Sequence, residues 1–544
     1  ELEGNVYDDN LVAGDDAENI WDGSSSALAS IFIGADEEDP AVDATYFTTG
    51  GSKDVNAIGD WLHGGNSAPP KNEIINAFAG LYQQAGETFV YFGLDRQEGN
   101  GDAQIGFWFL QDDVAPSTID NTFVGEHKDG DVLLQIDYTN GGVVTVPRLY
   151  EWVGDDATGS LVEQIPPPPD CTLAVGGDVA CATGNVAAGQ FGPGVSPPWD
   201  YKSIGGSDDY EQGAYFEGGI NLTSFFGSDG VPCFSTFIGE TRTSQSFNAQ
   251  LKDFALGNFD TCGSITVFKE TLPDASTEDF DFTLNPDPNA DGQQTLSDGE
   301  MYLFDDLEPG EYTLSEVLAN LPVGWSLDDI TCSSNLAGED ITINEGAGTA
   351  VIDLRLTEDV QCTYTNVQDG KIIVEKVTVG GDADFDFSGD ITATLSNGES
   401  DMAEVVPGTY SVTEAVTAGW DLTDISCDDA NSSGAGTTAT YIVEAGETVT
   451  CTFTNTKRGK VIINKVTDPA GGTGFGFTDD IAAPNSFSLD DGQSETFLDV
   501  VPGDYSVTED DPTPGYDLTN LVCDDPDGGT TTDLGARTAS IDVD

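Results

Sequence analysis

The sequence predicts an all-β chain: a large jelly-roll-like β-sandwich head with one short helix, then tandem β-sandwich modules. Three observations carry that prediction. Gly 65 and Pro 25 against two Met give a chain rich in turns and poor in long helical runs. Short β-branched and aromatic runs recur between those turns. From about Gly263 onward one pattern of strands occurs three times, the mark of a repeated supersecondary unit. The 544 residues carry 17 Lys+Arg against 98 Asp+Glu, a net charge of −81. Such a surface repels phosphates and anionic lipids, so nucleic acid and acidic membranes are excluded as partners. Cations, either bulk salt or calcium, are its natural counterweight. A disordered acidic tail is excluded too, because 38% of the chain is apolar and 9% aromatic.

The head, residues 1–261, does not repeat. Runs such as SALASIFIG, ETFVYFGLD, AQIGFWFLQ, DVLLQIDYT and GAYFEGGINLT read as its strands. A helix is expected from Ala68-Pro69-Pro70 to about Gly86, with Ile74, Ile75, Phe78, Leu81 and Tyr82 on one face. Proline- and glycine-rich text at 166–198 reads as an inserted loop. With His63 and His127 alone, and no H-E-x-x-H, G-x-S-x-G or phosphate loop, the head carries no enzyme signature. Trp61, Trp108 and Trp152 could stack on sugars at a sandwich edge; a place in the core accounts for them more simply.

Each repeat opens with a β-branched strand ending in Lys: SITVFK (Lys269), KIIVEK (Lys376) and KVIINK (Lys465). A Gly turn follows (LSDGE, LSNGE, LDDGQ). A P-G turn then leads into PGEYTLSE, PGTYSVTE and PGDYSVTE, ending at Glu316, Glu414 and Glu509. Next come GWSLDDITC, GWDLTDISC and GYDLTNLVC. The first two repeats close with CTYTN and CTFTN, ending at Asn366 and Asn455, and the third reaches Asp544 before any such strand. The modules are accordingly set at 262–367, 368–456 and 457–544, the last without its closing strand.

Strand periodicity puts Lys269 on one face with Ile265 and Val267, Glu316 with Tyr312 and Leu314, and Asn366 with Cys362 and Tyr364. The second repeat does the same with Lys376, Glu414 and Asn455. Buried charges are costly unless paired or neutralised, and this chain has only 11 Lys. In an apolar setting the Lys pKa falls and the Glu pKa rises, leaving a neutral amine and a protonated carboxyl. The amine can then attack the Asn carboxamide while Glu polarises it and shuttles protons, releasing ammonia and leaving an isopeptide bond.

At these residues the repeats resemble collagen-adhesin (Cna) B-type and SpaA-like domains, the prealbumin-like, Ig-like modules of Gram-positive pilins and surface adhesins. The resemblance implies crosslinks Lys269–Asn366 with Glu316, and Lys376–Asn455 with Glu414. In the third repeat Lys465 and Glu509 match, and the partner Asn is absent from the sequence. The head text (SKDVNAIGDW, LDRQEGNGDAQIGFWF, YFEGGINLT) is similar to a head that precedes prealbumin-like repeats in secreted bacterial proteins, which implies location and no activity.

Nine cysteines suit an oxidising exterior. Cys332 with Cys362 and Cys427 with Cys451 occupy equivalent positions, Cys233 is expected to pair with Cys262, and Cys171 with Cys181. Cys523 is left unpaired, its partner belonging on the closing strand. A zinc site is disfavoured because no C-x-x-C spacing exists. Asp287, Asn289, Asp291 and Asp298 have the spacing of an EF-hand-like calcium loop. Pro at the second position, Asp at the twelfth and flanking strands favour an acidic turn instead.

The reading is a non-enzymatic, extracellular structural or surface protein: a stiff crosslinked stalk or filament presenting the head. The alternative is an adhesin whose head binds carbohydrate or another cell-surface ligand. No cofactor is required, and calcium is the candidate ion. Expected partners are other surface or filament subunits, with strand donation to the third module as one route. No apolar run approaches the length of a bilayer span, and neither an initiator Met nor a charged apolar leader precedes Glu1. The sequence thus reads as a processed or truncated piece of a secreted protein.

Overall fold

The computed structural model describes residues 17–544 apart from 35–44, 49–51, 66–67, 100, 102, 140–142, 145–146, 165–167, 170, 172–177, 186–195, 228–229, 245, 247, 339 and 527. Nearly all regular structure is strand, arranged in antiparallel-rich sheets that face each other in pairs.

In the head a five-stranded sheet runs in the order Ala29–Gly34, Ile74–Gln84, Glu87–Arg96, Tyr215–Asn221, Ala180–Gly184. It packs on a nine-stranded sheet whose centre is Val132–Thr139, Ala103–Leu110, Thr236–Arg242 and Leu251–Asn258. Alternation along Ala103–Leu110 shows why both faces of the larger sheet are covered. Phe107 and Phe109 enter the core between the sheets with Phe92 and Phe237. Trp108 and Leu110 point the other way, into a second core with Phe47, Trp61 and Trp152.

Two expectations change here. The segment expected as a helix up to Gly86 is the strand Ile74–Gln84, paired on one side with Ala29–Gly34 and on the other with Glu87–Arg96. Residues 74–81 are buried on both faces, and a short apolar run of that kind does not distinguish strand from buried helix by periodicity. The described helices are instead Ala17–Asp22 and Leu222–Phe226, the latter capped by the Asn221 side chain accepting from Ser224 N–H at 2.9 Å. The text at 166–198, read as a loop, contributes the buried edge strand Ala180–Gly184; much of the rest of it lies outside the described residues.

Residues 263–368 form a sandwich of a four-stranded and a five-stranded sheet. The first runs Met301–Leu307, Gly263–Leu272, Asp359–Gln368, Trp325–Ser334. The second runs Gln294–Leu296, Phe280–Asn285, Gly310–Glu316, Thr349–Leu354, Ile341–Asn344. Residues 370–457 repeat both sheets strand for strand. In each, the opening strand (Gly263–Leu272, Gly370–Val379) lies parallel to the closing strand (Asp359–Gln368, Thr448–Lys457). The third repeat keeps the five-stranded sheet, but its other sheet holds only Gly459–Asn464 and Ser494–Val500.

One residue separates consecutive repeats. Asp369 sits between the strands ending at Gln368 and starting at Gly370, and Arg458 between those ending at Lys457 and starting at Gly459. Asp369 N–H donates to Gly324 O at 2.8 Å, and Arg458 N–H to Gly419 O at 2.8 Å. The Arg458 guanidinium also grips both Asp421 carboxylate oxygens, at 2.9 and 2.6 Å. Glycine opens each module for a steric reason: a Cβ at Gly370 would run into Val443, and one at Gly459 into Val543. The head meets the first repeat as closely. Cys262 is followed directly by the strand from Gly263, Cys233 N–H donates to Glu308 at 2.8 Å, and Leu356 packs on the head core.

Candidate crosslink centres

The parallel ladder places Lys376 opposite Phe453 and Thr378 opposite Asn455, so Lys376 and Asn455 stand two positions apart on neighbouring strands and face one core. Glu414, at the end of Gly408–Glu414, reaches them from the opposing sheet. Lys376 Nζ donates to Asn455 Oδ1 at 2.8 Å, and to the carbonyls of Val377 and Phe453, each at 2.8 Å. Asn455 Nδ2 donates to Glu414 Oε1 at 2.6 Å. The other carboxylate oxygen lies 3.6 Å from Lys376 Nζ and is buried with no hydrogen-bond partner. All three side chains are at most 3% exposed, which makes the triad a dry one.

The first repeat assembles the same groups slightly apart. Lys269 Nζ donates to Tyr364 O at 3.1 Å and to Glu270 O, while Asn366 Nδ2 donates to Glu316 Oε2 at 3.2 Å. Asn366 Oδ1 and Glu316 Oε1 are buried without a partner. In the third repeat Lys465 Nζ and Glu509 Oε1 form an ion pair at 2.5 Å.

Burial pushes Lys269 down to about 8, with the Glu316 charge opposing the shift, and it raises Glu316. Lys376 is likewise lowered and Glu414 raised, each chiefly by burial. These are the directions that nucleophilic attack requires: toward neutral amine and toward protonated acid. Lys Nζ can close on Asn Cγ while the carboxyl hands its proton to the departing Nδ2, and contact in the folded core supplies the effective molarity.

A fourth participant was not singled out in the sequence. Lys269, Lys376 and Lys465 each lie against an aromatic ring, Phe280 at 4.2 Å, Phe385 at 4.3 Å and Phe475 at 4.3 Å from the centroid. Trp325 and Trp420 pack edge-on against the first two rings and close the site to water. The signal was present as FDF, FDF and FGF at corresponding places in the three repeats.

The titration has a testable consequence. Asn366→Ala leaves Lys269 uncrosslinked in its pocket, where its pKa of about 8 lies below the unfolded value of 10.5. The unfolded chain then binds more protons between those values, so stability rises with pH. Chemical denaturation of Asn366→Ala should show the first module becoming more stable from about pH 8 to 9.5, by at most about 1.4 kcal/mol per unit. A flat profile would contradict the buried amine.

Four disulfides are formed: Cys171–Cys181, Cys233–Cys262, Cys332–Cys362 and Cys427–Cys451. The last two join directly opposed residues of neighbouring strands. Cys523 is free and exposed. The calcium loop does not assemble. Asp287 accepts from the Asp291 and Gly292 N–H groups, Asn289 donates to Asp305 O, and Asp298 turns away to cap Thr271 and Ala275 N–H. EF-hand spacing without EF-hand helices leaves these ligands capping separate turns. Among the described residues, Asp260, Cys262 and Asp306 bring metal-ligating atoms together, but the Cys262 sulfur is bonded to Cys233. The sugar-stacking role for Trp61, Trp108 and Trp152 is also withdrawn, since all three are at most 1% exposed.

Such modules, two-sheet sandwiches with a Lys–Glu–Asn centre inside, define a class of tandem-repeat protein. Residues 265–368 and 372–457 match the family described as a prealbumin-like fold domain, of SpaA type, and these two repeats are domains of that kind. Among solved structures, the Bacillus anthracis TIE protein is 12% identical with a TM-score of 0.24, covering 86% of this chain and 72% of that one. The pilus adhesin SpaC from Lactobacillus rhamnosus GG is 10% identical (TM-score 0.26), covering 76% of this chain and 50% of that one. The major pilin from Streptococcus pyogenes is 14% identical (TM-score 0.15), covering 36% and 98%. No curated protein matches. Among the described residues no helix is long and apolar enough to cross a membrane.

Proposed function

We propose that this chain is an extracellular surface protein in which crosslinked prealbumin-like modules form a stiff stalk that presents the β-sandwich head. The observation that carries the reading is the buried Lys376–Asn455–Glu414 contact set, repeated as Lys269–Asn366–Glu316. In this reading each triad condenses once, with Lys as nucleophile, Glu as proton shuttle and Asn as acyl donor; it is a self-directed reaction and turns over no substrate. A bond from opening to closing strand routes tension through covalent links, because the two strands are the entry and exit of each module. The one-residue connections and their backbone hydrogen bonds support a stiff rather than a jointed rod. Low Lys+Arg content and four disulfides fit an oxidising, saline exterior.

Single-molecule pulling on the full chain tests this reading. The crosslinked first and second modules should give no unfolding extension. The double variant Asn366→Ala, Asn455→Ala should gain two extension steps, read after reduction of the disulfides, each of roughly 3.3–3.6 Å per released residue. Equal extension in parent and variant would refute the load-bearing role.

A further inference from the structure

The third repeat has the ion pair of a crosslink centre beside a sheet edge that, among the described residues, no strand covers. In the first two modules the closing strand lies in parallel on that edge and brings Val360, Cys362 and Tyr364, or Val449, Cys451 and Phe453, fully into the core. The core of each of those modules is one cluster. In the third it falls into two small ones, around Phe477 and around Val461, with Ile463 and Ile541 at the seam. The segment Gly515–Cys523 forms no strand there, while its counterparts Trp325–Ser334 and Trp420–Cys427 ladder onto the closing strand alone. Without that ladder its backbone has nothing to pair with, and Val522 is 76% exposed.

We propose that the third module is a covalent acceptor for an extended, Asn-bearing peptide strand, which seats in parallel beside Gly459–Asn464 and is joined to Lys465 by an amide bond. This rests on the crosslink chemistry proposed above. The occupant is specified by register. The second module sets Val374 opposite Cys451, Lys376 opposite Phe453 and Thr378 opposite Asn455. Transferred to the third, Ile463 faces Cys, Lys465 faces an aromatic residue and Thr467 faces Asn. A strand of pattern Cys-x-aromatic-x-Asn fills the seam with its ring and brings its carboxamide to Lys465 and Glu509. It also offers its Cys to Cys523 as Cys451 meets Cys427. In the condensation the Nζ–Cγ bond forms, the Cγ–Nδ2 bond breaks, and the proton lost by Nζ passes through Glu509 to Nδ2, which leaves as ammonia. No oxidant or cofactor enters.

The probe is a synthetic peptide of the Thr448–Lys457 sequence, TVTCTFTNTK, added to the full chain under reducing conditions. Intact mass after denaturation should rise by the peptide mass less about 17 Da, with the branch mapped to Lys465. The Asn455→Ala version of the peptide should add nothing, and neither should the parent peptide offered to a Lys465→Arg chain. Absence of an adduct with the parent peptide, a link removed by thiol, or a branch at another lysine overturns the proposal. The same spectra read the first two modules. Ammonia loss there without an adduct at Lys465 overturns this inference alone; no ammonia loss anywhere overturns the crosslink reading with it.

Discussion

Asn455→Ala will lower the unfolding midpoint of the second module by about 20 °C and leave that module at its full sequence mass. The size follows from the loop the crosslink closes. Lys376 and Asn455 are 79 residues apart, and the Cys427–Cys451 disulfide already shortens the free path between them. Tying such a loop removes about 4 kcal/mol of chain entropy from the unfolded state, and each kcal/mol moves a module of this size by about 4–8 °C. The variant also leaves Glu414 Oε1 without the donor it has at 2.6 Å, which adds to the loss. Calorimetry of the parent and variant chains measures the shift, and the first module serves as internal reference. A shift of only a few degrees would mean that Asn455 makes hydrogen bonds and nothing more.

Glu414→Gln should separate the chemistry from the fold. The amide is nearly isosteric and still reaches Lys376 and Asn455, so the module folds. What it lacks is a proton to give: in the parent, burial raises Glu414 and the carboxyl stands between amine and carboxamide. Loss of a positioned acid–base typically slows such a step by about 10²–10⁴. Peptide mapping of freshly made protein should find the Lys269–Asn366 branch complete and the Lys376–Asn455 branch nearly absent, filling in slowly on storage. An unchanged rate would assign Glu414 a structural role only.

Much of the centre was legible in the chain itself because strand periodicity is simple. With a period of two, Lys269 had to face the way Ile265 and Val267 face, and threefold repetition separated that position from chance. Which lysine meets which asparagine was also recoverable, since the closing strand returns beside the opening one in each complete repeat. The aromatic ring on each lysine was not, because Phe280 in an alternating strand looks like any core residue until the facing sheet is placed. Ile74–Gln84 was misread for a related reason: burial on both faces erases the alternation that marks a strand. The acidic loop at Asp287 failed differently. Its spacing counts residues along the chain, whereas a metal counts oxygens around a point, and the turn spends its carboxylates on its own N–H groups.

The central claim is that two buried triads have become amide bonds. Intact-mass spectrometry of the full chain, denatured and with every disulfide reduced, tests it most directly. The account predicts a mass about 34 Da below that of the sequence, one ammonia each for Lys269–Asn366 and Lys376–Asn455. A mass equal to that of the sequence would contradict it.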